Sequence, residues 1–460
     1  MCRLAAAVGI DNAAEIVRRM LLDQQHGGQE GAGIATEHDG QILVHKDFGL
    51  VDEVFGGMNL QAMLPGRSAI GHVRYATTGE SRRRDNLHPL TGQTRHGSLA
   101  VAHNGNLTNY QELKQQLMQN GCVLRSDSDT ELILSLLGHS TAYTAELRLM
   151  EMFAHAQGAA TLLVMEPGKV YLGIDPHRFR PLAYARYQGG FLVASETRAL
   201  RLFGLRDWRV VEAGQIVTLM ADGTSVIRSY APRRPERNCV FEKVYFAMPD
   251  SEIFGDHVGR QRRRMGAALG GNERLRHLDV IIPVPDSAIV AAEAVAKESG
   301  MPLMHGLVRN KYTGRTFITP TQVARELGVR TKLRVDESVV QGKHVGVVDD
   351  SIVRGTTTKQ IAQLLREAGA LSVHLLVSSP PVIHPCHWGI DTPHRQDLIA
   401  ARVPVDQLAN ELGVDSVTYL TVGELLNAVE DHLGKRHCTY CFSGKKPVAE
   451  HPVPSEKKDD

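Results

Sequence analysis

No run of eighteen apolar residues occurs in this chain of 460, and no charged segment leading into an apolar core and a cleavage site opens it. The expectation is a cytoplasmic protein with no membrane-spanning helix. Net charge is almost absent as well, with 52 Lys and Arg against 51 Asp and Glu and a formal charge of +1. That excludes a global pull toward nucleic acid or membrane, so any anion binding must come from local clusters. Cysteine is scarce: six residues in this length do not make a secreted disulfide scaffold, which leaves reactive or metal-bound thiols as the expectation. Internal repeats and low-complexity tracts are also missing. What remains is an ordinary globular composition, long enough for two or three domains that each bury a core.

The two halves follow different patterns. Up to about Tyr230, strands such as QILVHKDFG, SAIGHVRYATTG and SLAVAHNGNL alternate with turns and a few helices, an α+β pattern. The proline- and charge-rich segment Ala231 to Asn238 reads as a linker. Beyond it, apolar strands such as DVIIPV alternate with helical stretches such as SAIVAAEAVAKE, the pattern of a parallel α/β sheet. The boundaries drawn are 2–235, 236–444 and a polar tail over 445–460 that is expected to fray.

In the second half, VVDDSIVRGTTT (Val347 to Thr358) places two acids at a strand end and then a turn rich in glycine and hydroxyls. Backbone N–H groups and the positive end of the following helix converge there on an anion, Gly355 permits close approach, and Ser351, Thr356 and Thr357 add donors. Asp349 and Asp350 would repel that anion unless they face a cation or sugar hydroxyls, so a phosphorylated sugar meets both demands. The competing reading is simple helix capping. A second strand-to-helix turn, PVPDSA, offers Ser287, with capping by Asp286 or Ser287 as its plainer role. Between the turns, Arg309 to Arg334 carries seven Lys or Arg against the single acid Glu326. Such a run is usually a solvated face, but its place between two anion turns suits a closing loop.

Together with YFAMPDS, GRTFI, GVRTKL and SSPPVIHPCHWGID, these segments closely resemble the type I phosphoribosyltransferase domain of the amidophosphoribosyltransferase family. The resemblance implies that the turn from Ser351 through Arg354 and Gly355 to Thr357 holds the 5-phosphate of PRPP. It further implies that Ser287, Asp349 and Asp350 surround Mg2+, and that Arg309, Lys311 and Arg315 belong to the flexible loop.

For the first half, Cys2 would become the terminal residue if Met1 is removed, giving a thiol and an α-amine of pKa about 8 on one residue. Nucleophile and base are then adjacent and can open a glutamine carboxamide. GHVRYATTG, AHNGNL and SDSDTE resemble the glutaminase domain of N-terminal-nucleophile amidotransferases, an αββα sandwich. By that resemblance Arg74 grips the substrate carboxylate, Asp129 its ammonium, and Asn104 with the Gly105 N–H forms the oxyanion hole. Ser128 to Glu131 is also a formal capping box, and NGN an ordinary turn. Three positions depart from the family's usual pattern: Cys2-Arg3-Leu4 replaces Cys-Gly-Ile, QQHGGQE with Gly27 replaces LQHRGQE, and DPHRFRPL replaces DPNGIRPL.

Cys438 and Cys441 form a CxxC, a weak zinc signal alone, while Cys239 and Cys386 stand apart. All four fall where the cluster-bearing branch of the family places the ligands of a 4Fe-4S cluster; four-thiolate zinc is the alternative. The expected activity is glutamine-dependent amination of PRPP to 5-phosphoribosylamine with release of glutamate and pyrophosphate, at the start of purine synthesis. The same resemblance implies a homotetramer and purine nucleotide inhibitors. The departures at Arg3 and Gly27 raise a second reading, a paralogue that uses free ammonia. A PRPP-sensing regulator is a third, although the chain has no basic stripe or appended DNA-binding helix pair.

Overall fold

The computed structural model describes residues 1–75, 83–232, 234–310, 333–392, 394–432 and 434–453. Lys311 and Arg315 lie outside them. In the first half, strands whose inner members are buried on both faces build two antiparallel sheets. One has seven strands in the order Arg209–Val210, Ala183–Tyr187, Gly190–Ala194, Arg3–Val8, Ser68–Arg74, Gly31–His38 and Gln41–Phe48. The other has six, with Gly97–Leu107 and Gly158–Glu166 among its inner strands. Leu4, Ala6, Ile70, Ala100, Ala102 and Leu163 fill the space between the sheets. Helix Ala13–Asp23 covers the outer face of the first sheet through Val17, Met20 and Leu21. Helices Asp129–His139 and Ala145–His155 cover the second. The result is the expected αββα sandwich, because each sheet has two apolar faces to bury.

The second half centres on a parallel four-stranded sheet ordered Val280–Pro283, His344–Asp349, Ser372–Val377 and Ser416–Tyr419. The first three strands are largely buried on both faces, as the apolar runs in the sequence require, and the edge strand Ser416–Tyr419 is half-buried. Helix Ile289–Ser299 follows the first of these strands and helix Thr356–Glu367 the second. The latter stops at Ala368, and Gly369 takes a positive φ of 86°.

The polar tail departs from expectation. Up to Val453 it folds back instead of fraying: Val448 and His451 are buried, and Arg237 Nε donates to the Pro447 carbonyl at 2.6 Å. His451 accepts from Trp388 Nε1 at 3.4 Å and lies beside Phe179. A few apolar and aromatic anchors outweigh the polar composition once a complementary surface exists. No helix among the described residues is long and apolar enough to cross a membrane.

Buried charges join the halves. Arg3 Nε donates to Glu196 at 2.7 Å and Arg3 Nη2 to Glu242 at 3.1 Å, with all three side chains fully buried. Arg180 adds a 3.7 Å approach to Glu242 and donates to the Trp388 carbonyl at 2.5 Å. The DPHRFRPL segment is therefore an interdomain contact through its last arginine. Removing one partner from such a buried group costs roughly 3–5 kcal/mol.

Candidate active site

Asp349 ends its strand at the wall of a cleft of about 440 Å³, which is lined by Ser287, Asp349 to Thr358, Tyr75, Phe246 and Asp391 among others. Ser287 donates to Asp350 Oδ1, and Ser351 Oγ donates to its other oxygen at 2.7 Å. Asp349 accepts the Asp350 N–H at 2.9 Å. Burial, and for Asp349 also the neighbouring carboxylate, raise the protonation range of both acids above that of an ordinary aspartate. Two acids held so close gain from a bound cation, and Ser287 supplies a neutral oxygen beside them.

Helix capping does not account for these residues. Neither Thr356–Glu367 nor Ile289–Ser299 has a side-chain cap, the positions before them being Gly355 and Ala288. Gly355 has φ 77°, and a Cβ there would stand 2.6 Å from Ile399 Cδ1. The Thr356 and Thr357 side chains stay exposed at the helix start, facing an N-terminus suited to phosphate. Asp286 instead pairs with Arg309 at 2.8 Å, at the base of the basic segment. Arg354 approaches Asp397 at 3.6 Å.

On the other side of the cleft, Tyr75 lines the wall and its backbone grips Cys2: the Cys2 thiol lies 3.4 Å from the Tyr75 carbonyl and 3.5 Å from its N–H. Arg74, the preceding residue, is buried, with its Nε 3.8 Å from Glu30. Asp129 is tied to the strand carrying Asn104 and Gly105 on both sides of that pair. Its Oδ1 is 3.3 Å from His103 Nδ1, and its Oδ2 accepts from the Leu107 N–H at 3.1 Å. Burial alone would raise Asp129, but His103, the Leu107 N–H and Arg74 hold it below the usual range. Asn104 Nδ2 is buried with no hydrogen-bond partner among the described residues. A Cβ on Gly105 would meet the Ala159 carbonyl oxygen at 1.9 Å, so only glycine fits. The formal capping box at Ser128 is not made. Ser128 accepts from Thr130, while Glu131 turns to the backbone of Arg125 and Ser126.

Met1 precedes Cys2 and is fully buried in the apolar cluster that includes Phe241 and Phe246. Burial pushes its α-amine down to about 4.

Cys239 and Cys438 are paired across a short parallel ladder. Electrostatic coupling links all four predicted thiols pairwise, and burial raises those of Cys239, Cys438 and Cys441. The Trp388 N–H donates to Cys386 Sγ at 3.4 Å. Among the described residues no three His, Cys, Asp or Glu side chains gather closely enough to hold a single ion.

Sequence reasoning passed over Tyr75, although it sits inside a quoted motif, because nothing local says that its ring reaches the other half. It also missed Arg262, which donates to the Lys243, Tyr245 and Ala247 carbonyls and lies within electrostatic reach of Asp350. In GRQRRRMG that arginine reads as part of a solvated helix face.

Two family models match the chain: a glutamine amidotransferase domain over residues 74–202 and a phosphoribosyl transferase domain over 267–381. The amidophosphoribosyltransferase of Bacillus subtilis is 40% identical over 451 residues, spanning 97% of this chain and 94% of that protein. The chloroplastic amidophosphoribosyltransferase of Glycine max is 40% identical over 450 residues, covering 97% and 78%. Among solved structures, the glutamine PRPP amidotransferase from B. subtilis, complexed with ADP and GMP, superimposes with a TM-score of 0.91 at 38% identity, covering 98% of this chain and 99% of that one.

Proposed function

The chain belongs to the amidophosphoribosyltransferase family, pentosyltransferases of the first step of purine biosynthesis, and from that premise we propose how its own residues divide the work. The observation that carries the reading is the shared cleft: the acid pair and hydroxyl-rich turn form one wall, and Tyr75, whose backbone holds the Cys2 thiol, forms another.

Once Met1 is cleaved, the Cys2 amine takes the proton from its own thiol, and the thiolate attacks the glutamine carboxamide. Arg74 and Asp129 hold the α-carboxylate and α-ammonium of that substrate. The unpartnered Asn104 amide and the Gly105 N–H receive the oxyanion, charge-matched donors being most effective where water is excluded. The terminal ammonium returns that proton to the departing nitrogen, ammonia leaves, and water releases glutamate from the thioester. Removal of Met1 also vacates buried volume beside residues that line the cleft, and Asp391 in the cleft lies within electrostatic reach of the N-terminus.

In the cleft, the turn from Ser351 to Thr357 with Arg354 seats the 5-phosphate. Arg309 stands at the base of a segment that includes Lys311 and Arg315 and would meet the departing pyrophosphate. Ser287, Asp349 and Asp350 would hold Mg2+, which offsets diphosphate charge when bound. Ammonia then attacks the anomeric carbon as pyrophosphate departs, helped chiefly by positioning and exclusion of water.

Cys239, Cys386, Cys438 and Cys441 would hold a 4Fe-4S cluster that ties the end of the chain to the phosphoribosyltransferase half. Protein purified without oxygen is then expected to absorb visible light and carry about four iron atoms per chain, both lost in Cys386→Ser. Four-thiolate zinc predicts about one zinc and no colour. Purine nucleotides are proposed as regulators, by likeness to the B. subtilis enzyme solved with ADP and GMP, and a tetramer as the assembly. A cytoplasmic location fits the bacterial relatives.

The deciding assay is PRPP-dependent pyrophosphate release by anaerobically purified protein, supplied with glutamine or with ammonium. Both donors are expected to support turnover. Release with ammonium alone would leave the phosphoribosyltransferase role standing and sink the glutaminase role.

A further inference from the structure

The two departures next to the nucleophile touch each other. Gly27 has ordinary backbone torsions and is buried, and a Cβ built on it would fall 2.3 Å from Arg3 Cγ and 2.9 Å from Arg3 Nε. The obstacle to a side chain at position 27 is thus the Arg3 side chain itself. Position 3 in turn carries an arginine where the family usually has glycine, and position 27 a glycine where it usually has arginine. An arginine issuing from 27 would enter the volume that Arg3 now fills, toward the same carboxylates.

Those carboxylates demand a cation. Glu196 and Glu242 are both fully buried, and Glu196 also takes His26 Nε2 at 2.6 Å, the Met248 N–H at 2.9 Å and the Ser251 hydroxyl at 2.7 Å. Burial would raise Glu196, yet His26 and Arg3 hold it far below the usual range. Arg180 stands 3.7 Å from Glu242 and His26 faces Glu196, but Arg3 is the guanidinium that reaches both carboxylates: losing it withdraws their shared buried partner, and a side chain entering its volume from position 27 would clash. One arginine, from either position, satisfies both constraints.

We infer that Arg3 and Gly27 are a single exchanged pair, with Arg3 a positioning residue that delivers from strand Arg3–Val8 the cation otherwise delivered from position 27. The exchange keeps the nucleophile in register. Arg3 Nη1 donates to the Cys2 carbonyl at 3.3 Å, so the guanidinium that pairs with Glu242 in the second half also fixes the residue bearing the thiol. The inference rests on Cys2 being the glutaminase nucleophile, and it removes the reason to read Arg3 and Gly27 as signs of a lost glutaminase.

Four proteins test it: the parent, Arg3→Gly, Gly27→Arg and the double variant, each assayed with glutamine and with ammonium and each followed by thermal unfolding. Each single variant is expected to lose glutamine-driven turnover by about 100-fold or more while keeping most ammonium-driven turnover. The double variant is expected to recover at least about tenfold over either single and to melt above both. A purely structural role would lower the two activities together, so the split between donors isolates positioning. Arg3→Gly with unimpaired glutamine use, or a double variant no better than its worse parent, would overturn the exchange. If the parent itself uses ammonium only, the glutaminase reading falls and the order of melting points alone judges the exchange.

Discussion

Replacing Cys2 by alanine is expected to reduce glutamine-driven pyrophosphate release by at least about 10⁴-fold, the scale seen when a covalent nucleophile is deleted, while ammonium-driven release stays close to the parent's. The expectation follows from where the thiol sits. Its hydrogen bonds run to the Tyr75 backbone, and none among the described residues joins it to Ser287 or to 349–357, the groups proposed to face PRPP. Deleting one sulfur next to the fully buried Arg3 and Leu4 changes little volume, so the fold is retained. Equal losses with both donors would mean that Cys2 serves the structure of the cleft and not glutamine chemistry.

Asp349→Asn is expected to lower turnover with either nitrogen donor by about 10²- to 10³-fold, because it acts at the step the two reactions share. It should also stabilise the ligand-free protein at neutral pH. The sign follows from linkage: a carboxyl whose folded-state pKa is raised binds its proton more tightly when folded, so stability falls as pH rises past the ordinary aspartate value of 3.8. Asparagine removes that penalty, moving the melting point of a 460-residue chain up by about 1 °C per kcal/mol relieved. The gain should be present at pH 7.5 and vanish toward pH 4. Mg2+ with PRPP should reverse the ranking, since only the parent offers both carboxylates. A variant that melts below the parent at pH 7.5 without ligand would show that the acid pair is not held at a cost in stability.

Arg74 and Asp129, proposed to hold glutamine, each lie in a short motif with its own neighbours, Arg74 before Tyr75 at a strand end and Asp129 at the first turn of a helix, and residue type and local context there point the same way. The capping box at Ser128 was equally local in appearance and was not made, because Glu131 found three closer donors in the preceding loop. Local pattern proposes partners, and packing selects among them. The tail shows the same limit. Its composition is that of a frayed end, yet Val448 and His451 are buried against Phe179 and Trp388, residues far away in sequence.

Order along the chain was therefore sufficient for two halves of different fold and for strand, turn and helix around Val347 to Thr358, since each depends on residues a few positions apart. Tertiary structure alone could bring Tyr75 to the wall of the cleft that Asp349 and Asp350 line, set Arg262 within electrostatic reach of Asp350, and lay Arg3 over Gly27 between Glu196 and Glu242. Arg3 and Glu242 alone are 239 positions apart, and no periodicity or propensity carries information over such a span. Their meeting is decided by which buried charges and apolar faces must be satisfied together when the two halves close.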